Sequence, residues 1–584
     1  MSTMLLHAAQ VAALQAMLYL LVPAWALARM KWRSAGEWLF ASMVAGLASA
    51  ALLGSLCNGS RIGAGAALAI WLAAWIGGGL LARRKIRTAP PPSWDGALLA
   101  VLLLAGAVRL IHPLQTWALG QSDAYSHLGF LRDVLEQGRV GNGDYPPAYS
   151  WVLAFPAWLL QGHPYWMARF GGAFFGMGLA LGAHVLLAQV RGRVAGLSAA
   201  ALVAGCPVFW LLQKTGVGCF ANQLGLLLIP AALWAYSSGR RGWLALVLAA
   251  LAVSVPMMLL HALVLLAVLL LLDREAGRGR WILLAILALA FALALGMAFR
   301  LPPARGMVIA SMLTGQYGLM EQAGAGWGDV LRTLAADFLS IKRTGYASGM
   351  LDALALATTV VFVLALVGGW RKREAAWRVV GAWGLLTSVN VHLGLFQFTN
   401  YQREGWSLLL ATACLGGLVF DVLWNRWNTR KGHGFLGAGL VLASAAGLAL
   451  PPAHLPSGGP AESDVARFLL ALDPAATVLA RPMSGFASGQ GDVVRSLHPR
   501  TVSEVKDIPA AAGPVYFLRD RPQFSPPVSS VMRILQPALA AESERARERA
   551  EEDNRDLEEQ LSGYEIETWR FSLYLDIWQV GRKW

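Results

Sequence analysis

The sequence predicts a polytopic α-helical membrane protein of about fourteen transmembrane helices followed by a small C-terminal extracytoplasmic α/β domain, and three observations carry that reading. The chain of 584 residues is 56% hydrophobic and only 14% charged, against about 25% charged residues in ordinary soluble domains. Apolar runs such as Leu259 to Leu272 and Trp281 to Phe299 recur, too long for strands and too uniformly apolar for the helices of a soluble core. The charge is divided: residues 452–584 hold 15 Lys+Arg and 19 Asp+Glu, so the net charge of +14 arises wholly in residues 1–451, which hold 33 and 15. There it gathers between apolar runs, as topology signals do on the cytoplasmic side. A basic balance confined in this way gives no support to a nucleic-acid partner.

The segment Met4 to Leu27 lacks a basic leader and exceeds a signal-peptide core, so it reads as a retained helix. Taking Arg29/Lys31/Arg33, Arg83/Arg84/Lys85/Arg87, Arg191/Arg193, Arg240/Arg241, Arg274/Arg278/Arg280, Arg371/Lys372/Arg373 and Arg426/Arg430/Lys431 as cytoplasmic orients every span. The spans fall near 4–28, 38–56, 63–82, 95–112, 168–190, 194–213, 223–237, 243–255, 257–272, 280–299, 351–369, 376–394, 406–424 and 434–451. Both termini are then outside a cell (inner) membrane. Ala148 to Leu160 must not cross, because a crossing there would put Arg191 and Arg193 outside; it is expected as a short helix on the outer surface after Pro146-Pro147. Residues 243–272 read either as two short spans or as one tilted helix kinked at Pro256. Three regions result: N-terminal helices (1–94), a membrane core with external loops at 113–167 and 300–350 (95–451), and the tail (452–584).

The tail follows the turn-rich Pro456-Ser457-Gly458-Gly459-Pro460. It predicts a helix near 462–472 capped by Ser463 or its neighbours, strands near 477–480 and 514–519, and a charged helix from about 529 to 561. Terminal strands over 564–582 alternate at Phe571, Leu573, Leu575 and Ile577. The helix Ala541 to Leu561 carries no apolar heptad and reads as a solvated face. The four cysteines, Cys57, Cys206, Cys219 and Cys414, form no ligand spacing.

Of the fifteen acidic residues in 1–451, six flank cytoplasmic ends: Glu37, Asp95, Asp273, Glu275, Glu374 and Asp421. Nine lie outside: Asp123, Asp133, Glu136, Asp144, Glu321, Asp329, Asp337, Asp352 and Glu404. That concentration points to chemistry at the outer surface. Asp133, Glu136 and Asp329 suit solvated loop helices. Asp123 stands in Ser122-Asp123-Ala124-Tyr125-Ser126-His127, about ten residues beyond a span and before an amphipathic helix Ser126 to Glu136. It is either a helix N-cap or a carboxylate that accepts a proton during group transfer.

An apolar span, then Ser122 to His127, an amphipathic helix, Tyr145-Pro146-Pro147-Ala148-Tyr149, and Met167-Ala168-Arg169-Phe170 opening another span: this order resembles the GT-C glycosyltransferases over roughly residues 95–450. Oligosaccharyltransferases, protein O-mannosyltransferases and the aminoarabinose transferases of lipid A are among them. The resemblance implies an acidic catalytic motif in the first large external loop and a sugar donor on polyprenyl phosphate or pyrophosphate. The acceptor would be a protein, a glycan or a lipid. On it, Asp123 and His127 would be catalytic and Tyr125 would contact substrate.

Lys214 to Gln223 occupies the turn where family members often carry a second acidic motif, yet Asn222 and Gln223 stand in place of carboxylates. Hard cations want several charged oxygens, so the resemblance leaves open a divalent cation (Mg or Mn, with Asp123 as a ligand) or none. Glu321 or Asp144 would supply a further carboxylate. Tyr401-Gln402-Arg403-Glu404-Gly405-Trp406 is similar to the family's arginine-bearing turn. There Arg403 would grip the donor phosphate, with Lys214 as a second cation, or else anchor the helix at the interface beside Trp406. Asn222, Gln223, His261, Glu321 and Glu404 would complete the substrate contacts, although His261 equally suits a helix-to-helix hydrogen bond. The glycine-rich 300–350 loop suits a lid.

The implied reaction is an inverting displacement at an anomeric carbon. No Walker sequence, Gly-rich nucleotide fingerprint or metalloprotease motif is present. The rival reading, a transporter or lipid flippase for glycolipid precursors, predicts charged residues buried at mid-membrane and paired broken helices, neither of which the sequence displays.

Overall fold

The computed structural model describes residues 2–85, 95–115, 117, 119, 122–141, 146–160, 164–205, 221–273, 282–289, 349–393, 401–427, 429–449, 460–479, 494, 497, 500–502, 505, 515–520, 548, 552, 555–570 and 575–583. The described part of each expected span is helical. In chain order, α1 (Ser2–Ala16) passes through a π-helical turn (Met17–Leu21) into α2 (Val22–Leu27). The widened turn ends against Pro23, whose missing N–H leaves the carbonyl of Tyr19 without its helical donor. The chain continues through α3 (Ala35–Cys57), α4 (Ala64–Lys85), α5 (Gly96–Gln115), α6 (Ser122–Gln137), α7 (Ala148–Leu159), α8 (Pro164–Phe170), α9 (Gly172–Val190) and α10 (Arg193–Ala204). After these come α11 (Ala221–Ser237), α12 (Arg241–Ser254), α13 (Pro256–Leu272), a helical segment over 282–289, α14 (Gly349–Arg371), α15 (Ala375–Leu393), α16 (Tyr401–Arg426) and α17 (Arg430–Ala449). Among the described residues, five helices are long and apolar enough to cross a membrane: Thr3–Leu27, Ala35–Cys57, Ala64–Arg83, Pro164–Val190 and Ser407–Arg426.

One end of the bundle is tied by ion pairs. Glu37, at the start of α3, is 3% exposed and receives Arg240 Nη2 at 3.0 Å, Trp234 Nε1 at 3.3 Å and the backbone N–H of Arg33 at 2.7 Å. Ser34 caps the same helix by its Oγ accepting from the Glu37 N–H. Arg191, between α9 and α10, donates to Asp421 of α16 at 2.8 Å and to Glu374 before α15 at 3.1 Å. Arg193 makes two bonds to Asp95 before α5, at 2.6 and 3.0 Å. Four of the six acids assigned to cytoplasmic ends are therefore paired with residues of the basic clusters assigned to that side.

Two sequence alternatives are decided by packing. Residues Ala148–Ala157 of α7 are all buried, and the helix lies against α3, α4, α6 and α8. It is not on the outer surface, as expected, but inside the bundle. Gly54 of α3 makes room for the Trp151 ring, and the Tyr19 hydroxyl donates to the Val152 carbonyl. Twelve residues reach only about 18 Å, short of a ~30 Å hydrocarbon core. The helices α12 and α13 are separated at Val255 and Pro256, and Arg241 and Leu244 line the same cavity as Leu269, Leu272 and Asp273. The chain thus doubles back as a hairpin; it is not one kinked helix.

In the tail, α18 (Pro460–Ala471) begins on Pro460, a favoured first helical position, so Ser463 lies inside the helix, not at its cap. Five strands, β1 (Thr477–Leu479), β2 (Thr501–Val502), β3 (Val515–Asp520), β4 (Tyr564–Arg570) and β5 (Leu575–Lys583), form one sheet in the order β2-β1-β3-β5-β4. The first three are parallel and β5 is antiparallel to both neighbours. Phe517 and Trp578 are cross-strand partners with ring centroids 5.9 Å apart over a core of Leu479, Val515, Leu557, Leu561 and Val580. Of the expected 529–561 helix, residues 548, 552 and 555–560 are helical and the remainder up to residue 554 lies outside the described residues, as do Phe571 and Leu573.

The Asp95 carboxylate generates a pH prediction. Its bonds from Arg193, aided by the backbone N–H groups of Leu98 and Ala97 and opposed by partial burial, hold it at about 2. A lowered carboxylate stabilises the fold fully above its unfolded value of about 4 and loses that contribution as pH falls from there toward 2. Thermal melts in detergent should show the wild type above Arg193→Ala at pH 7, with the gap closing between about pH 4 and pH 2. A gap of constant size across that window would remove the carboxylate as its source.

Candidate functional site at the far end of the bundle

The position of the site follows from α3, which starts at Glu37 among the ion pairs and runs for 23 residues, about 34 Å at 1.5 Å per residue. Its far end, at Asn58, holds the connection between α6 and α7. Asn58 Oδ1 accepts from the Val140 N–H at 2.9 Å and from Trp151 Nε1 at 3.3 Å. Gly138 turns the chain after α6 with φ +68°, and a Cβ there would stand 2.9 Å from the Ile62 carbonyl oxygen. Both constraints demand glycine. Asp133 Oδ2 closes the turn by accepting from the Gly141 N–H at 2.9 Å, which gives the carboxylate a structural task.

Helix α6 lies at this end with Ala124, Tyr125, Leu128, Leu131 and Val134 fully buried. That spacing of three and four residues is one face of a helix. The helix begins at Ser122, one turn earlier than the Ser126 start expected from sequence, because no helix breaker follows Gly120. Asp123 is therefore the second residue of α6, in its first turn.

The strand of chain leading to Asp123 is strapped down by buried donors. Arg169, 1% exposed, donates Nη1 to the Tyr165 hydroxyl at 2.7 Å and Nη2 to the Pro113 carbonyl. The Tyr165 hydroxyl donates in turn to the Trp117 carbonyl. The Tyr125 hydroxyl accepts from the Leu119 N–H at 3.2 Å. The Arg169 guanidinium stands 5.7 Å from the Trp117 ring, 5.6 Å from Tyr165 and 5.5 Å from Phe170, so aromatic faces solvate a charge that burial would otherwise penalise. Three backbone groups between Pro113 and Leu119 are thus fixed within ten residues of Asp123.

His127 lies one turn beyond Asp123, 6% exposed, edge-on to Phe130 at 6.0 Å and Tyr149 at 5.7 Å. Asn222 and Gln223 are not in a turn, as expected, but in the first turn of α11, at 3% and 4% exposed. His261 is buried in α13, little more than a turn after the reversal at Pro256. Arg403 and Glu404 belong to the first turn of α16, which starts at Tyr401, twenty residues before the Arg191-paired Asp421. Because α11 and α13 have their other ends in the cavity near Arg241, the starts of α11 and α16 face the same end as α6. The side chains of Asp123, Arg403 and Glu404, and all of Lys214, Glu321 and most of the 300–350 loop, lie outside the described residues. Among the described residues no three His, Cys, Asp or Glu side chains gather as a metal site.

Two arginines went unremarked in the sequence beyond a motif match. Arg109, 6% exposed, lies within α5, where a Cβ on Gly176 of α9 would stand 2.6 Å from its Cγ. It corrects the expectation that no charge is buried within a span. Arg109 and Arg169 line one seam, α5 against α8 and α9. An arginine inside or opening an apolar run is the signal that marks both.

Arg169→Gln should free the strap, since each charge-assisted bond contributes roughly 1.5–3 kcal/mol. A cysteine placed at Ser122 should then react with a thiol reagent at least several-fold faster than in the parent. Tyr165→Phe, which removes the bond to Trp117 and one bond from Arg169 but leaves Arg169 on the Pro113 carbonyl, should have a smaller effect. Equal labelling rates in all three would show that Arg169 does not hold the 113–119 strap.

No protein-family profile matches the chain, and no curated protein does. Among solved structures, the chain is similar to the oligosaccharyltransferase of Archaeoglobus fulgidus in its apo form, with a TM-score of 0.47 and 11% identity over 70% of this chain and 65% of that one. An archaeal oligosaccharyltransferase from the same organism, with an inhibitory peptide and a dolichol-phosphate, gives 0.47 and 11% over 71% and 65%. The form with zinc and sulfate gives 0.48 and 12% over 78% and 67%. The chain therefore spans 65% of the length of the first of these enzymes. Oligosaccharyltransferases, which are GT-C glycosyltransferases, are among the enzymes that the residues around Asp123 resemble.

Proposed function

We propose that the chain is a membrane glycosyltransferase that moves a sugar from a polyprenyl-phosphate or pyrophosphate donor to a protein, glycan or lipid acceptor at the outer face of the membrane. The observation that carries the reading is the strap. A buried arginine and two tyrosine hydroxyls spend their hydrogen bonds on backbone groups at 113, 117 and 119, next to the first turn of a helix that opens Ser122-Asp123. Such preorganisation suits a group that must meet a reacting atom within a fraction of an ångström.

In the proposed reaction the acceptor oxygen or nitrogen attacks the anomeric carbon from the face opposite the lipid phosphate. The new bond forms as the carbon–oxygen bond to phosphate breaks, and the phosphate leaves with that electron pair. Asp123 takes the acceptor proton. Arg403, with Lys214, neutralises the leaving phosphate, and Tyr125, His127, Asn222, Gln223, His261, Glu321 and Glu404 are candidates for shaping the site. The reaction needs either no metal or a divalent cation (Mg or Mn), which Asp123 would help to hold and which would supply further positive charge. Dolichol-phosphate, present in one archaeal oligosaccharyltransferase complex, belongs to the donor class proposed here. The buried Arg109 is the observation that favours a transporter as the second reading.

Asp123→Asn, nearly isosteric but unable to accept a proton, should lower transfer from a polyprenyl-phosphate sugar by about 10²–10⁴-fold, with expression and melting temperature close to wild type. Loss of melting temperature with full activity per folded molecule would make Asp123 a helix cap. For Arg403→Ala, a lost charge-assisted contact of roughly 1.5–3 kcal/mol should lower donor-limited efficiency by about one to two decades, with any acceptor. Unchanged donor titrations would move the phosphate site elsewhere.

A further inference from the structure

At the ion-paired end, away from Asp123, the helices leave a cavity of about 270 Å³. It lies between the end of α11 (Tyr236 and Ser237), the start of α12 (Arg241, Leu244), the end of α13 (Leu269, Leu272 and Asp273) and the start of α15 (Arg378, Val379), with Leu283 at its side. Two arginines face one carboxylate there, and Asp273 already has an electrostatic partner. Two of the lining groups are unusual. Ser237 Oγ and Arg378 Nε are buried, and neither meets a hydrogen-bond partner among the described residues. Buried donors are nearly always satisfied, so two in one cavity call for an acceptor from outside the protein. Apart from Tyr236 and Gly239, the remaining lining is leucine, valine and alanine, an apolar wall that favours hydrocarbon.

We infer that this cavity binds the phosphate of an anionic phospholipid, with Arg241, Arg378 and Ser237 on the phosphate oxygens and an acyl chain along Leu244, Leu269, Leu272 and Leu283. A phosphate diester supplies acceptors alone, which is what a serine hydroxyl and two guanidiniums lack. The volume lies just below the roughly 300–1,000 Å³ of pockets that enclose whole ligands, as befits a headgroup whose tails remain in the membrane. The basic clusters on this end are of the kind that gather at the anionic leaflet. The same phosphate chemistry is offered by a soluble phosphate ester, but that ligand has no use for the leucine wall. This inference does not rest on the proposed transferase activity, and its test reads binding only.

The full chain purified in a neutral detergent would be titrated with dioleoyl phosphatidylglycerol, with dioleoyl phosphatidylcholine and with glycerol 1-phosphate, following melting temperature and lipid retained in native mass spectra. Phosphatidylglycerol should raise the melting temperature and remain bound, whereas the other two should do neither. Arg378→Gln and Arg241→Gln should each weaken phosphatidylglycerol binding about ten- to a hundredfold, the cost of one charge-assisted contact. Ser237→Ala, which risks little folding, should weaken it less. Arg371→Gln, an exposed arginine of the neighbouring cluster that does not line the cavity, should leave it unchanged. Equal retention by wild type and both cavity variants would overturn the inference, as would equal loss in Arg371→Gln. A response to glycerol 1-phosphate as strong as that to the lipid would overturn the lipid as the source.

Discussion

The ion pairs that gather Glu37, Asp95, Glu374 and Asp421 onto Arg240, Arg193 and Arg191 are what the rest of the bundle depends on. In a membrane, lipid tails are as apolar as leucine, so apolar faces do not by themselves choose their neighbours. Polar contacts and close packing must do so. Arg191 alone joins the α9–α10 turn to the head of α15 and to α16, residues separated by 183 and 230 positions in the chain. Glu37 joins α3 to the end of α11 and the α11–α12 turn through two donors, Trp234 and Arg240. With one end fixed in this way, helix length sets where the other ends fall. The starts of α11 and α16 and the whole of α6 then share the opposite end.

The two ends are built differently because their tasks differ. The paired end uses charge against charge, where Asp421 and Glu37 are buried and their arginines only half-buried, so the carboxylates could not be left alone without heavy cost. The other end uses a buried cation against carbonyls, hydroxyls and ring faces. Arg169 has no carboxylate among its described contacts; its charge is spread over Pro113, Tyr165 and three aromatic rings. An arrangement of this kind holds backbone without neutralising the local positive field, and a positive field suits a site that would meet lipid phosphate.

Much of the paired end was legible in the sequence, because charges in an apolar chain are few and their side of the membrane follows from a simple count. The acids assigned to the basic end are where the arginines are. Short apolar segments were not legible. Ala148 to Leu160 reads the same whether it lies on a surface or inside a bundle, and only the Gly54 notch that admits Trp151 reveals which. Likewise, nothing local to Pro256 distinguishes a kink from a reversal; the distinction needs Arg241 and Asp273 on one cavity. At the site, Asp123 stood out as a carboxylate in an acid-poor chain. Arg169 did not, because an arginine opening an apolar helix looks like any interfacial anchor until its partner, the Pro113 carbonyl 56 residues away, is seen.

That separation has a chemical consequence. A carboxylate that acts as a base must be ionised yet retain affinity for a proton near neutral pH, and a nearby fixed cation lowers that affinity. Arg169 is bonded to the backbone ahead of the helix that carries Asp123, with aromatic faces around the guanidinium. Position is gained through bonds to carbonyl and hydroxyl oxygens. On the same logic the arginine proposed to meet the donor phosphate, Arg403, comes from a different helix whose far end is held by Asp421. The residues proposed as base and as phosphate-binding cation are then carried on separate helices, α6 and α16.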